Sequence, residues 1–362
     1  MWDSNNITPE MVCLRVFCRR ALGQMSVSDC LPYLEQPLDG VRFIDLLQEH
    51  RLLLLVYQVL SSEFEAYISE RLLQKLKHKA KPMINNQLVL MRTAQDVHRV
   101  LEQQAIPHVF LKGPSLNQIL WGRRMMRYSR DLDVLILPRD ILNANTALRQ
   151  LDFKSELSDK SMRFHQRLST WTTKKDAAYW KVGVAQSIEL HWKTYCTEFI
   201  LSSMKKRGEL LQFSDEEHVL YLCLHAAKHG WLRMIWLVDI VALLQTKRID
   251  ISCVRTLAKA RHITPVVDEM MLLAEQWLGI TLCPGDILIQ IRKRDTRLQQ
   301  RVTWAARSDL DSFFKDLIGR YFANAFCSSR WRQTRLWIQI FLGAIISRCL
   351  NSGRDIIQKN HK

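Results

Sequence analysis

Two short stretches place chemistry-bearing residues at spacings to which backbone geometry gives a meaning. The first is Tyr128-Ser129-Arg130-Asp131-Leu132-Asp133-Val134-Leu135-Ile136. Leu132, Val134 and Ile136 alternate with Asp131, Asp133 and Leu135, which is the period of a strand. Side chains two apart on a strand share a face, so the Asp131 and Asp133 carboxylates point the same way. Held that close they repel, and a divalent cation between them relieves the repulsion. The second stretch is Lys112-Gly113-Pro114-Ser115, directly after the apolar run Val109-Phe110-Leu111. Gly113 lets backbone N–H groups approach a ligand closely, and the turn feeds a helix over 115–121 whose N-terminus favours an anion. Pro114 near the first helical turn costs nothing there, because its missing N–H has no helical partner. A phosphate site beside a metal site is the arrangement nucleotide chemistry needs.

Metal-dependent nucleotidyl transfer needs about three carboxylates converging on two cations. A third must come from a neighbouring strand, with its side chain on the same sheet face. Glu189, flanked by Ile188 and Leu190, is the best candidate; Asp152 is the runner-up but sits at a helix exit and reads more naturally as a turn residue. His191 shares the face of Glu189, either hydrogen-bonding it or only packing. His225 and His229 lie four apart on a helix, with Lys228 beside them. A zincin would carry Glu where Ala226 stands, which excludes that metalloprotease site. The two histidines therefore form a core pair or line the cleft on the acceptor side. Asp239, one helix on, is a partner for one of them or a general base for the acceptor.

The elements that must position these residues follow from periodicity. Residues 1–105 read as helical throughout, with a stripe of Leu46, Leu47, His50, Leu53, Leu54, Tyr57 and Leu60. A second helix is expected over 64–79, ended near Pro82, and a third over 86–104. Strands are expected at 109–111, from Asp131 to the residue before Pro138, at 162–168 and at 182–192, with a helix over 140–151 and a hairpin or mobile loop over 169–181. From Ser214, a good N-cap, helical periodicity returns and lasts to the end. The expectation is an α+β chain: an N-terminal helical region over 1–105, a small mixed-sheet core over 106–195, and a C-terminal helical region over 196–362 that is basic at its end.

The order Leu111-Lys112-Gly113, Arg127, Asp131-Leu132-Asp133 and Glu189-Leu190-His191-Trp192 resembles the bacterial uncharacterised nucleotidyltransferase family, within the DNA-polymerase-beta-like nucleotidyltransferase superfamily. The resemblance continues in Leu224-His225-Ala226-Ala227-Lys228-His229-Gly230-Trp231 and Trp236-Leu237-Val238-Asp239-Ile240, and spans roughly residues 40–290. It implies metal-binding roles for Asp131, Asp133 and Glu189 and a phosphate-facing Gly113 turn. One departure stands out. The superfamily's Gly-Gly/Ser turn is replaced by Lys112-Gly113-Pro114-Ser115, so Ser115 would have to supply the hydroxyl and Lys112 a point charge for the phosphates. Arg127 would suit bidentate contact with triphosphate oxygens. The resemblance further implies Mg²⁺, two ions expected and Mn²⁺ an alternative, with an NTP such as ATP as substrate and a small hydroxylated acceptor or biosynthetic intermediate. Alternatives are an RNA- or tRNA-modifying, toxin-like nucleotidyltransferase and a non-catalytic nucleotide-binding protein.

Composition bounds these readings. With 362 residues, 48% hydrophobic and 24% charged, the chain is long enough for a large core and is neither disordered nor collagen-like. Nine scattered cysteines without a C-x-x-C pair suggest neither a zinc ribbon nor a disulfide framework. Together with a start lacking a basic-then-apolar pattern, this points to the cytoplasm. The net charge of +16 is concentrated late, with fifteen Lys/Arg against five Asp/Glu over 292–362. That excess suits a solvated surface, a polyanion such as RNA, or peripheral contact with an anionic membrane. The apolar run 336–346 falls short of the about 20 residues a membrane span needs, so burial or an interfacial helix is expected.

Overall fold

The computed structural model describes residues 8–155, 176–183, 185–192, 205–207, 210–212 and 214–294. Five helices open it: α1 (Pro9–Ala21), α2 (Val27–Leu34), α3 (Gly40–Glu49), α4 (Leu53–Glu63) and α5 (Glu70–Gln103). The single stripe expected over 46–60 is divided between α3 and α4, because the chain breaks at His50-Arg51-Leu52 with Arg51 at φ 57°. The break has a physical use. Met234 N–H donates to His50 Nδ1 at 3.3 Å and Ile235 N–H to the His50 carbonyl at 3.4 Å, satisfying amides of a helix start more than a hundred residues away.

Downstream, the two helices expected on either side of Pro82 are one continuous helix. Pro costs about 3 kcal/mol in a helix interior. Here the buried stripe Leu76, Ala80, Gln87, Leu90, Ala94, Val97 and Leu101 runs through both halves, and its packing outweighs the lost hydrogen bond.

The sheet has the order β1-β2-β5-β4-β3, from β1 (His108–Phe110), β2 (Asp131–Ile136), β3 (Lys154–Ser155), β4 (Asp176–Trp180) and β5 (Ser187–His191). β2 and β5 are parallel and every other pairing is antiparallel. The strand expected over 182–192 is shortened to β5, with Gly183 at φ 78° in the turn before it. The end of the expected loop 169–181 is β4 instead, where Ala177 and Tyr179 are buried and alternate with exposed Ala178 and Trp180. The strand expected at 162–168 lies outside the described residues. A short pair, β6 (Lys205–Arg207) and β7 (Leu210–Gln212), was not expected from the sequence. Helices α6 (Pro114–Trp121) and α7 (Ile141–Gln150) connect the strands.

After Ser214, whose side chain makes a capping box with Glu217, come α8 (Asp215–Lys228), α9 (Met234–Thr246), α10 (Ile251–Ala260), α11 (Thr264–Leu273), a π-helical turn over Ala274–Leu278, and α12 (Gly285–Arg294). The basic end and the apolar run 336–346 lie outside the described residues. Among the described residues, no helix is long and apolar enough to cross a membrane.

Strand alternation sorts the sheet's two faces. Leu132, Val134, Ile136, Ile188 and Leu190 pack with Leu90, Val97 and Leu101 of α5 and Ala144 and Leu148 of α7 in one core. A second core joins α1, α3 and α4 to α8, α9, α11 and the sheet's Leu135. Helices from before and after the sheet thus form one body over the face that carries Asp133. The protein is α+β, as the sequence implied: a mixed sheet flanked by helices on both sides in the chain. Leu101 is fully buried against the sheet and remote from the carboxylates. Leu101→Ala should lower unfolding free energy by about 2–5 kcal/mol in urea titrations while leaving metal and ligand affinities alone.

Candidate active site

The parallel pairing of β2 and β5 sets Asp133 opposite Glu189 and Asp131 opposite Ser187. Two carboxylates that are far apart in sequence become cross-strand neighbours on one face. Asp133 is 2% exposed, a costly place for a charge without partners. Its Oδ1 accepts from Lys112 Nζ at 3.1 Å and from His191 Nε2 at 3.1 Å. His191 Nε2 also lies 3.5 Å from Glu189 Oε2, and its Nδ1 lies 3.5 Å from Asp176 Oδ2, so three carboxylates bracket one imidazole.

The electrostatics follow the contacts. Burial alone would push the Asp133 carboxyl up, but the Lys112 ammonium and the His191 hydrogen bond hold it well below the usual carboxylate range. Burial raises Asp131, and neighbouring Asp133 raises it further. For His191, burial works against the charged form, yet the bonds to Asp133 and Glu189 outweigh it and raise the imidazole.

One atom marks a candidate cation site. Asp133 Oδ2 is buried with no hydrogen-bond partner among the described residues. Single donor atoms of Asp133, Glu189 and His191 all lie within 4.8 Å of one another. Two carboxylate oxygens and an imidazole nitrogen suit Mg²⁺ or Mn²⁺ chemistry, the imidazole favouring the softer ion. Asp131, two residues before Asp133 on the strand and on the same face, lies outside this set of three.

The Lys112-Gly113 turn is hung from both sides. Leu111 N–H donates to the Asp133 carbonyl at 3.0 Å, and His218 Nε2 donates to the Leu111 carbonyl at 3.2 Å. Gly113 has φ +75°, a left-handed backbone that favours glycine, and it brings the turn against the Asp131 carbonyl. Lys112 Nζ is also 3.5 Å from His225 Nδ1. Burial, then Lys112, pushes the His225 imidazole well below its ordinary value, leaving a neutral acceptor. His229 stacks on Trp236 at 5.4 Å and His225 meets the same indole edge-on at 5.6 Å.

The expected site residues separate into two groups. Lys112, Gly113, Arg127, Asp131, Asp133, Glu189, His191, His225, Lys228 and His229 all line one cavity of about 240 Å³. Ser115 does not reach it. Arg127 lines the cavity but is not free for bidentate phosphate contact: its Nε donates to Asp239 Oδ2 at 2.8 Å and its guanidinium also donates to the Ser129 hydroxyl. Asp239, 1% exposed, therefore pairs with Arg127 rather than with either histidine, and it lies behind the cavity wall. Asp152, the alternative third carboxylate, meets Lys181 at 3.3 Å in a turn at φ 62°. Arg51, Tyr221, Arg233 and Trp236 line the cavity without having been anticipated. Arg51 carried no motif; only its left-handed backbone at a helix break marks it, and that is not visible in a sequence.

A mixed sheet presenting a glycine turn and cross-strand carboxylates to one cavity is the core of a nucleotidyltransferase. The chain belongs to the family described as uncharacterised nucleotidyltransferase, whose model matches residues 36–279, more than half of its length. Comparison with curated proteins and with solved structures gives no match. Membership supports nucleotidyl transfer in general, and with it a divalent metal and an NTP.

Two outcomes follow. Arg127→Ala should cost about 3–5 kcal/mol in chemical denaturation, because it leaves the Asp239 carboxylate buried and unpaired; the double variant Arg127→Met/Asp239→Leu should regain most of that loss. The second outcome concerns pH. The folded state resists protonating His225, so the unfolded chain takes up that proton first and stability is lost as pH falls through the unfolded value of about 6.5. Relative to His225→Phe, the wild type should therefore lose stability between pH 7.5 and 5, measured by urea titration at each pH.

Proposed function

We propose that the protein transfers a nucleoside monophosphate from an NTP to a hydroxyl acceptor and releases pyrophosphate. Asp133, Glu189 and a His191 that has given up the proton it shares with Asp133 would hold a divalent cation, with Asp131 available for a second; the orphaned Asp133 Oδ2 is the observation that carries this reading. When bound, such cations neutralise the phosphate oxygens and the departing pyrophosphate charge. Mg²⁺ is the expected ion, with Mn²⁺ a competent substitute.

The chain's own groups then divide the work. Lys112, whose ammonium lies 3.1 Å from Asp133 Oδ1 beside the Gly113 turn, would offer its charge to the phosphates. Lys228, which also lines the cavity, would add a second positive charge. The acceptor oxygen attacks the α-phosphorus, the bond to the β-phosphate oxygen breaks, and the acceptor's proton passes to a carboxylate of the site. Glu189, with its side chain 41% exposed toward the cavity, is positioned for that proton. Ser129 and Asp239 keep Arg127 in the wall, where its charge adds to the field without leaving the protein. A small acceptor fits cavities of this size better than a polymer.

Radiolabelled NTP supplied with Mg²⁺ should label an acceptor in a cell extract. Asp133→Ala and Glu189→Ala should each reduce labelling to background, whereas equal labelling by wild type and Asp133→Ala would refute the metal assignment.

A further inference from the structure

A larger cavity of about 620 Å³ adjoins the first and shares Arg51, His229, Arg233 and Trp236 with it. Arg130 also lines it, as the residue directly before Asp131, so this cavity opens at the Asp131 end of β2. None of Arg51, Arg130 and Arg233 makes an ion pair with a described residue. Their charges act on one another. Burial and then Arg233 push Arg51 down to about 10, and burial and then Arg130 lower Arg233. Asp131 and Glu49 are the carboxylates that work the other way on Arg233. Arg233 is steadied over the Trp236 ring at 5.4 Å, which fixes its plane without using its donors. Arg51 is held in the left-handed region at the helix break, a conformation few non-glycine residues adopt.

We infer that this cavity binds the acceptor substrate, and that the acceptor carries an anionic group, a phosphate or a carboxylate, gripped by Arg51, Arg130 and Arg233. Guanidiniums present paired donors that match the oxygens of either group, and three of them against the single carboxylate of Glu49 leave the lining net positive. On that reading the NTP phosphates would lie apart, at Lys112 and Gly113, which line the smaller cavity and not the larger. The mixed lining of the larger cavity, with Tyr128 and Leu232 beside the arginines, fits an acid with an apolar or ring-bearing body better than a bare ion. This inference rests on the nucleotidyl-transfer reading for the word acceptor, but the anion site stands on its own geometry.

Calorimetry with two anion probes, inorganic phosphate and citrate, tests it on the full chain saturated with Mg²⁺ and a non-hydrolysable NTP analogue. At least one probe should bind the loaded protein, and Arg130→Glu should weaken that binding by about tenfold or more, as loss of a charged hydrogen bond predicts. The affinity of Arg130→Glu for the NTP analogue should stay within twofold of wild type, a margin of about 0.4 kcal/mol. Which probe binds tells phosphate from carboxylate. No binding of either probe to the loaded wild type, equal binding by Arg130→Glu, or a large loss of NTP-analogue affinity in that variant would each overturn the inference. If the wild type fails to bind the Mg²⁺–NTP analogue, nucleotidyl transfer falls; phosphate or citrate bound by the nucleotide-free protein and lost in Arg130→Glu would still support the anion site.

Discussion

The buried carboxylate of Asp133 is the constraint around which the structure is arranged. A charge almost without exposure must be met by positive groups, and the chain brings Lys112 from the turn after β1 and His191 from β5 to do so. Each partner is itself held. Lys112 follows a backbone pinned by the Asp133 amide plane and by His218, and His191 is bracketed by Glu189 and Asp176. The register of two parallel strands is what makes Glu189 the cross-strand neighbour of Asp133. A slip of one residue would turn every one of these side chains into the apolar core beneath.

Around this centre, the helical regions that precede and follow the sheet act together. α3, α4, α8 and α9 share one core, and their contacts at His50 join the first helical region to the start of α9. The same His50-Arg51 break that caps α9 aims Arg51 at the cavity. A second buried ion pair, Arg127 to Asp239, joins the loop before β2 to the middle of α9. Since a buried pair contributes little net stability over apolar residues, its value lies in fixing the loop that carries Ser129, Arg130 and Asp131 relative to α9. The walls of the cavity are thereby set by contacts that cross the chain, while the floor is set by strand pairing.

What was legible in the sequence is what depends on local period. The alternation around Asp131 and Asp133, the Lys-Gly turn and the Glu189-His191 strand could be read directly, and the α+β class followed from them. Failures came where distant contacts decide. Pro82 marks a helix end by its own chemistry but is carried through by a buried stripe on both sides. Leu46 to Leu60 keep a helical period across a break that serves an amide on α9. Asp239 carries no local sign that its partner is Arg127, since the pair is 112 residues apart in sequence. Arg51 and Arg233 look like ordinary surface arginines until the two helical regions fold onto each other.

The proposed chemistry stands or falls with a divalent-cation site at Asp133, Glu189 and His191. Electron paramagnetic resonance of Mn²⁺ titrated into the protein reads it directly, since bound ion loses the sharp signal of the free aqueous ion. Saturable Mn²⁺ binding by the wild type, displaced by Mg²⁺ and lost in Asp133→Asn with the fold retained, is the predicted result. Mn²⁺ bound with the same affinity by Asp133→Asn, or not at all by the wild type with or without NTP, would contradict it.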